Sequence, residues 1–278
     1  VKCVEIAKYD WDSHELSWDF KKNSLLKEAG SLREAYKAHL KLCEKLVADL
    51  SDLELKINEL VVSSYNLHGE ISCAPERSKI TLIHNKEFVY SSHEPSKHSI
   101  LYQADQIVSL LSYFVGVLLG RFSLHKDGVV IPSNKKDDAA TLLSEKNFGE
   151  FLPDDDGILP LLQVDWFKDD LTNKVKECVQ YIWGEDCLDE NLGFIAESLC
   201  LNAIKPKKSE SALETIRRYL STQFYKDHLK TYKKRPIYWL FSSGKQKAFE
   251  CLVYLHRYNE GTLSRMRTEY VKKKMRYY

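Results

Sequence analysis

The feature that most constrains the fold of this chain is a helical pattern that runs from residue 24 to residue 66. Apolar residues recur there mostly at steps of three and four, with Glu and Lys between them, which is the period of an amphipathic α-helix. An unbroken helix of about 40 residues would be ~60 Å long. Gly30 and Ser31 can interrupt it near its start, with Ser31 as the N-cap and Glu34 at the capping-box position. We therefore predict a long spacer helix, or one arm of a coiled coil or helical bundle.

The rest of the chain also shows mostly helical patterns, with a few short candidates for β-strands. Helices are predicted over residues 103–119, 166–183, 188–201, 211–228, 246–258 and 262–274. Strands are predicted over 79–84 and 236–241, a strand entering an aromatic-rich turn over 1–20, and a short hairpin over 121–131. The predicted fold class is mainly α with short β segments, in which a long spacer helix precedes a helical C-terminal domain. The predicted regions are 1–22 as the end of an upstream domain, 23–68 as the spacer helix, 69–150 as a helical or mixed region with irregular loops, and 151–278 as the C-terminal domain with a basic tail.

The composition is that of a soluble globular chain, because 44% of the residues are hydrophobic and 29% are charged. The longest apolar run, over 107–120, is too short to cross a bilayer, and the chain does not open with a signal peptide. It begins with Val1 rather than Met, which suggests a fragment of something longer. The seven cysteines form neither a CxxC pair nor a zinc-finger spacing with histidine. We therefore expect reduced structural cysteines, no metal site, no membrane and a cytoplasmic location.

The net charge of +1 conceals an uneven distribution of charge along the chain. Residues 204–278 contain 19 Lys and Arg against 6 Asp and Glu, whereas residues 1–203 contain 22 basic and 34 acidic residues. A basic tail of this kind favours an acidic partner, with nucleic acid first among the candidates. The alternative, which the sequence leaves open, is that the acidic part of the chain neutralises the tail within one domain.

The tail also contains the densest mixture of basic and aromatic residues, within 225–271. Three consecutive cations precede Pro236 and a predicted strand, and a Ser-Ser-Gly-Lys turn follows that strand. Basic groups interleaved with aromatic rings can hold phosphates and stack on bases, which is typical of nucleic-acid binding. The candidate DNA contacts are Lys233, Lys234, Arg235, Lys245 and Lys247, with Arg257, Arg265 and Arg267 as further candidates. Tyr238 and Trp239 lie inside an apolar run, so we expect both in the core rather than against a base.

Motifs for other chemistry are absent or incomplete, and we predict no catalytic residue. The turn at 242–245 lacks the first glycine and the final Ser or Thr of a phosphate loop. It is either a cradle for one phosphate ahead of a helix or a plain turn. Asp154, Asp155 and Asp156 are consecutive, whereas an EF-hand alternates its ligands. The sequence contains neither GxGxxG nor the [DNS]PP[YFW] motif with which amino-methylating enzymes hold a flipped base.

Several blocks of the sequence resemble one known family. The blocks are EIAKYDWDSHELSWDF (5–20), YFVGVLLGRFSL (113–124), FLPDDDGILPL (151–161), WFKDDL (166–171), ENLGFIAESLC (190–200), KRPIYWLFSSGKQKAF (234–249) and YLHRYNEGTLSRMRTEYV (254–271). In this order they resemble the C-terminal part of the adenine-specific DNA methyltransferases of the BREX phage-defence system, the PglX family. The resemblance spans nearly the whole chain and is weakest over 68–99 and 132–150.

The resemblance implies both a role and a limit to that role. Members of that family are large single chains similar to type IIG restriction-modification enzymes, and their methyltransferase core lies upstream of the region that this chain resembles. The S-adenosylmethionine loop and the NPPY-type motif of that core are not in this sequence. The resemblance therefore implies DNA engagement and target recognition without the methyl transfer, and no cofactor in this chain. The alternative is a structural and interaction module that docks other components of the defence system or the methyltransferase core.

Overall fold

The computed structural model describes residues 1–26, 30–132, 142–164, 166–167 and 169–272, and it confirms a mainly helical chain with short strands. In chain order the helices are α1 (Lys2–Asp12), α2 (Leu32–Ser64), α3 (Lys86–Val89), α4 (Pro95–Leu118), α5 (Glu145–Phe148), α6 (Leu171–Trp183), α7 (Leu188–Asn202), α8 (Ala212–Tyr219), α9 (Tyr225–Thr231) and α10 (Thr262–Arg265). The strands are β1 (Ile158–Pro160), β2 (Tyr238–Ser242) and β3 (Glu250–Tyr254). A π-helical turn, Leu220–Phe224, joins α8 to α9, and a second, Met266–Val271, continues α10.

The predicted long helix is α2, whose 33 residues begin directly after the predicted N-cap. The Ser31 hydroxyl accepts a hydrogen bond from the Glu34 amide, and the Glu34 carboxylate accepts one from the Ser31 amide, which confirms the capping box. The first half of the helix, as far as Leu50, packs into the protein. Of residues 51–64, all of which the structure describes, only Val62 is buried. Apolar side chains exposed in this distal half are Ile57, Leu60 and Val61.

Helix α4 forms the centre of the main hydrophobic core, and α6 and α7 pack against it. Among the helices that the structure describes, it alone is long and apolar enough to span a membrane, but 56% of its most apolar window is buried inside the protein. Such burial is expected of a core helix that is apolar on all sides. A glycine is required at position 116, because a Cβ on Gly116 would lie 2.4 Å from a ring carbon of Phe122 and 2.9 Å from the Tyr238 hydroxyl. The missing side chain thus lets β2 approach the helix closely.

The three strands form one antiparallel sheet in the order β1-β3-β2. The central strand β3 is buried on both faces. Leu252 and Tyr254 contact the main core, whereas Cys251 and Val253 contact a second apolar cluster on the opposite side of the sheet. The prediction of a helix over 246–258 is therefore wrong, because the segment contains a turn followed by β3. A strand covered on both faces has a continuous apolar run, which periodicity alone does not distinguish from a buried helix.

Two further strand predictions are wrong. The first residues of the chain form helix α1 instead of a strand. The segment 79–84 is the end of a 3₁₀ turn followed by a loop. Its residues Ile80 and Leu82 are both buried, as alternate residues of a strand would be. The next two backbone amides, however, donate to the carboxylate of Asp10 instead of to a neighbouring strand.

The remaining differences concern loops and boundaries. Helix α4 begins at Pro95, eight residues before the start that the sequence predicts. The hairpin predicted after α4 turns back through a 2.8 Å hydrogen bond from the Val130 amide to the Arg121 carbonyl, without forming strands. Residues 133–141, in the region predicted as helical or mixed with irregular loops, and residues 273–278, which include the end of the last predicted helix, lie outside the described residues. The main core draws on all four predicted regions, for example through Phe20, Leu25, Phe114 and Tyr254.

Candidate nucleic-acid interface

The three consecutive cations of the candidate site form the loop between α9 and β2, and all three residues are exposed. Helix α9 ends there in a Schellman motif. The Lys234 amide donates to the Leu229 carbonyl (2.7 Å), and the Lys233 amide donates to the Lys230 carbonyl (3.2 Å). Both Lys233 and Lys234 have a left-handed backbone, with φ of 50° and 63°. Because this conformation favours glycine or asparagine over lysine, the surrounding contacts must hold the loop in place.

His228, near the end of α9, supplies such contacts. Its ring stacks on that of Tyr238 with centroids 4.7 Å apart. The His228 Nε2 accepts hydrogen bonds from the backbone amides of Ile237 (3.2 Å) and Tyr238 (3.3 Å). Burial, together with the positive charge of Arg121, lowers the pKa of His228 to about 4. The imidazole is therefore neutral at pH 7, so Nε2 can accept both bonds and fix the end of the loop; no sequence pattern indicates this role.

Strand β2 carries one exposed aromatic ring between the two basic segments. Trp239 is 38% exposed and lies against Tyr258, with the ring centroids 5.9 Å apart. Tyr238 is buried in the main core, as the sequence predicts. The same expectation for Trp239 is wrong, because the alternation of side chains along a strand places it on the opposite face of the sheet.

At the other end of β2, the turn that leads to β3 carries Lys245 and Lys247, both exposed. Gly244 in this turn has φ of 96°, a conformation that its missing Cβ permits. Lys247 forms an ion pair of 3.2 Å with the buried carboxylate of Glu250. The turn leads into a strand instead of a helix, so it does not form the phosphate cradle that a helix N-terminus would provide.

Arg257 lies inside the protein, although the sequence makes it a candidate DNA contact. The residue is 8% exposed, and its Nη2 donates a 2.7 Å hydrogen bond to the carbonyl oxygen of Asp155. In the same acidic turn, the Asp154 carboxylate accepts hydrogen bonds from two backbone amides. Burial and the neighbouring Asp156 raise the pKa of Asp154 to about 7. The guanidinium of Arg257 is thus directed into this turn instead of toward a phosphate in solution.

Arg265 and Arg267 are exposed on α10 and the π-helical turn that continues it. Arg265 lines a cavity of about 700 Å³ in which most of the charged groups are acidic. These acids are Glu150, Asp154, Asp155, Asp156, Asp169, Glu177 and Glu269. They would repel a phosphate backbone from this part of the surface. The structure therefore places five of the eight candidate cations at the two ends of β2, and places Arg257 and Arg265 in acidic surroundings.

These features define a mainly helical region with a cationic β-hairpin, and comparison with known proteins identifies its relatives. No protein-family model matches the chain. The chain is 52% identical, over 271 residues and 97% of its length, to the adenine-specific methyltransferase BrxX of Escherichia coli O9:H4 (strain HS). It is 31% identical, over 277 residues and 96% of its length, to the adenine-specific methyltransferase PglX of Lacticaseibacillus casei (strain Zhang).

The chain spans only about a fifth of these relatives, since it covers 22% of the first and 21% of the second. The resemblance to the PglX family is thereby confirmed, and the chain is homologous to one region of the BREX adenine-specific methyltransferases. The activity stated in the names of the relatives belongs to proteins several times longer than this chain.

Proposed function

We propose that this chain is the DNA-engaging, target-recognition region of an adenine-specific DNA methyltransferase of a phage-defence system, without the catalytic core. Its similarity to two adenine-specific methyltransferases supports the proposal. The structural observation that carries it is the exposed and conformationally fixed loop at 233–235. In this proposal S-adenosylmethionine binds the catalytic part of such a methyltransferase and not this chain. Because the proposed substrate is DNA inside the cell, the proposal also implies that the protein is cytoplasmic.

A loop that is fixed in advance binds phosphates at a lower entropic cost than a mobile loop. Immobilising one long side chain at an interface costs roughly 0.5–1.5 kcal/mol, and ordering a loop adds to this cost. In this chain the Schellman motif and the contacts of His228 have already ordered the backbone that carries the three cations. Their side chains alone remain to be ordered when DNA binds.

The spacing of the two basic segments also suits a nucleic acid. Strand β2 lies between them and is about 13 Å long, at ~3.3 Å per residue. Consecutive phosphates of one DNA strand rise about 3.4 Å along the helix axis, so the two segments can contact phosphates several nucleotides apart. Trp239 lies between them and is exposed enough to stack on an unpaired base.

A salt series of DNA-binding measurements tests the proposal. The triple variant K233Q/K234Q/R235Q removes the three cations of the loop. The slope of log Kobs against log salt concentration should fall in magnitude by about 2.7, because each phosphate contact to duplex DNA contributes about 0.9. Fluorescence anisotropy of a labelled duplex, titrated with the chain at several salt concentrations, gives both the affinity and this slope.

The matched control is K37Q/K41Q/K45Q, which removes three exposed lysines from α2. It changes the net charge by the same amount, and we expect it to leave the salt slope nearly unchanged. Equal effects of the two triple variants would mean that only net charge matters. That result contradicts the proposal, as does the absence of DNA binding by the unaltered chain.

A second candidate function, docking to the catalytic part of such a methyltransferase or to another component of the defence system, is favoured by exposed apolar side chains. Leu60 in the distal half of α2 is 69% exposed, and Trp18, after α1, is fully exposed. Other exposed apolar residues of the two segments are Val4, Trp11, Ile57 and Val61. Helix α1 packs against α2, so these residues belong to neighbouring elements. Exposed apolar surface of this kind marks interaction sites.

Co-purification tests the docking function. The chain carrying I57N/L60N should lose association with a BrxX methyltransferase from which the homologous region has been deleted. The control K56N/E59N changes two exposed residues of the same helical segment and should retain it. If the unaltered chain does not co-purify with that protein, or if both variants do so equally well, docking through the distal half of α2 is wrong.

A further inference from the structure

Four potential metal ligands meet at the junction of α2, α4 and the loop before α3. His39 and Cys43 lie one turn apart on α2, His84 lies in the loop, and Tyr102 lies on α4. Within the described residues, the ligand atoms of the two histidines and the cysteine all lie within 4.8 Å of one another. His39 and Cys43 are buried and His84 is half-buried. The cluster is therefore shielded from bulk water.

The Tyr102 hydroxyl lies between the other three groups. Its oxygen is 2.9 Å from His39 Nε2 and 2.8 Å from His84 Nδ1. The Cys43 sulfur is 3.5 Å from the same oxygen and 3.4 Å from His39 Nε2. A tetrahedral zinc ion has Zn–S distances of about 2.3 Å and Zn–N or Zn–O distances of about 2.0–2.2 Å, which puts neighbouring ligand atoms roughly 3.3–3.6 Å apart. These four separations, of the six that define such a tetrahedron, match its edges to within about 0.5 Å. The other two, from His84 to His39 and to Cys43, are at most 4.8 Å.

The outer contacts of His84 also suit a metal ligand. Its Nε2 lies 2.6 Å from the Ser13 hydroxyl, and when it donates there, Nδ1 keeps its lone pair and faces the cluster. The Ser13 hydroxyl donates in turn to the carbonyl of Asp10, and the Asp10 carboxylate accepts a hydrogen bond from the His84 amide (3.1 Å). A metal-binding histidine is commonly oriented in this way by a partner on its other ring nitrogen.

We propose that His39, Cys43 and His84 bind a zinc ion, with the Tyr102 hydroxyl in the fourth position. Two imidazoles and one thiolate form a donor set that suits Zn²⁺. Because the protein fills all four positions, the ion is structural: it ties α2 to α4 and to the loop before α3. Cys43 gives up its proton when the ion binds, so uptake of zinc releases protons. This proposal departs from the expectation of no metal site, which rested on the absence of a zinc-finger spacing. The spacing His39-x-x-x-Cys43 on one helix face is the sequence signal that this expectation left out.

The metal content of the purified chain is the direct test. After dialysis against metal-free buffer, mass spectrometry should find about one zinc ion per chain, as in a mononuclear site. Cys43→Ser and His84→Gln should each lower the zinc affinity about tenfold or more, measured by competition with a chelator, since even the loss of an outer partner lowers metal affinity 10–100-fold. The control Cys251→Ser alters a cysteine that is equally buried, in β3, and should keep its zinc.

Cobalt provides a second readout that reports on the sulfur itself. Co²⁺ added to the metal-free chain should give a sulfur-to-cobalt charge-transfer band that Cys251→Ser retains and Cys43→Ser loses. If the chain holds no zinc and shows no such band, the four groups form only a hydrogen-bond network. If Cys43→Ser holds as much zinc as the unaltered chain, the metal is adventitious; either result overturns the proposal. Should Cys43→Ser fail to fold, His84→Gln decides, because it lies in a loop and keeps an acceptor for Tyr102.

Discussion

The two basic segments at the ends of β2 carry similar charge but are held in different ways. The loop at 233–235 is fixed by a Schellman motif and by His228. Lys233 and Lys234 have a left-handed backbone that lysine rarely takes, and so does Lys247 in the turn (φ of 48°). The turn at 243–248 is exposed along its whole length, and one of its two lysines, Lys247, pairs with Glu250. Exposed basic residues in a sequence therefore do not all bind an anion equally readily. The fixed loop is the segment expected to dominate.

The largest expected effect concerns the residue that fixes the loop. The pKa of His228 is lowered from 6.5 to about 4, so the native chain binds this proton more weakly than the unfolded chain does. The contribution of His228 to the free energy of unfolding is therefore fully present above pH 6.5 and is lost as the pH falls toward 4. It amounts to at most roughly 3 kcal/mol. Urea unfolding from neutral pH down to pH 4 measures it, and the decline should be smaller in His228→Gln.

The control for this measurement is His68→Gln, which changes an exposed histidine of the loop after α2. Its stability should decline with falling pH as steeply as that of the unaltered chain. Part of the decline should remain in His228→Gln as well, because burial also lowers the pKa of His14. If all three proteins lose stability equally, His228 does not hold the loop in the way that the structure indicates.

The next largest effect separates the two segments in DNA binding. We expect K234Q/R235Q to weaken binding by about 2 kcal/mol, or roughly 30-fold, because two charge-assisted contacts from an ordered loop are lost. We expect K245Q/K247Q to cost less than about 1 kcal/mol, as is usual for exposed charges. Anisotropy titrations of both variants at one salt concentration give the comparison. Equal losses would show that the order of the loop contributes nothing to affinity.

The smallest effect concerns the strained backbone of the loop. Lys233→Gly should stabilise the chain by about 0.5 kcal/mol, because the left-handed conformation costs a lysine roughly 1–2 kcal/mol and the flexibility of glycine offsets part of the gain. Lys233→Ala removes the same charge without relieving the strain. Thermal unfolding should therefore rank the glycine variant above the alanine variant. The reverse order would mean that the conformation of Lys233 is not strained.

How much of the fold could be predicted depends on how locally each feature is specified. The capping box that begins at Ser31 lies within four residues and forms as the sequence predicts, and a second box of the same length begins at Ser211. The apolar period of α2 is also a local pattern. It predicts the helix but does not indicate which half of it packs against the protein. Strand β3 could not be predicted in this way. Its pairing partner β1 lies at residues 158–160, and the main core that covers one of its faces includes residues of α4, both far away in the sequence.

In the candidate site, too, some features are specified by nearby residues and others by contacts between residues that are distant in the sequence. The exposure of the cations at 233–235 follows from their charge and from the neighbouring proline, so residue types suffice to suggest it. The burial of Arg257 cannot be inferred from residue types, because its partner Asp155 lies 102 residues away in the sequence. The role of His228 likewise depends on an aromatic ring beyond the loop, on Tyr238. Sequence patterns specify which charges are present, whereas tertiary contacts decide which of them face the solvent.

The distal half of α2, in which only Val62 is buried, can amplify a small rotation of the packed half. It extends about 20 Å past Leu50, at 1.5 Å per residue, while the packed half is held by residues that include His39 and Cys43. A tilt of about 10° at the held end would move the free end by roughly 3.5 Å over that length. Whatever binds near Leu60 would therefore move further than the packed half of the helix does, and a force on the distal end would reach Leu50 and Val47 before any other buried residues of the packed half.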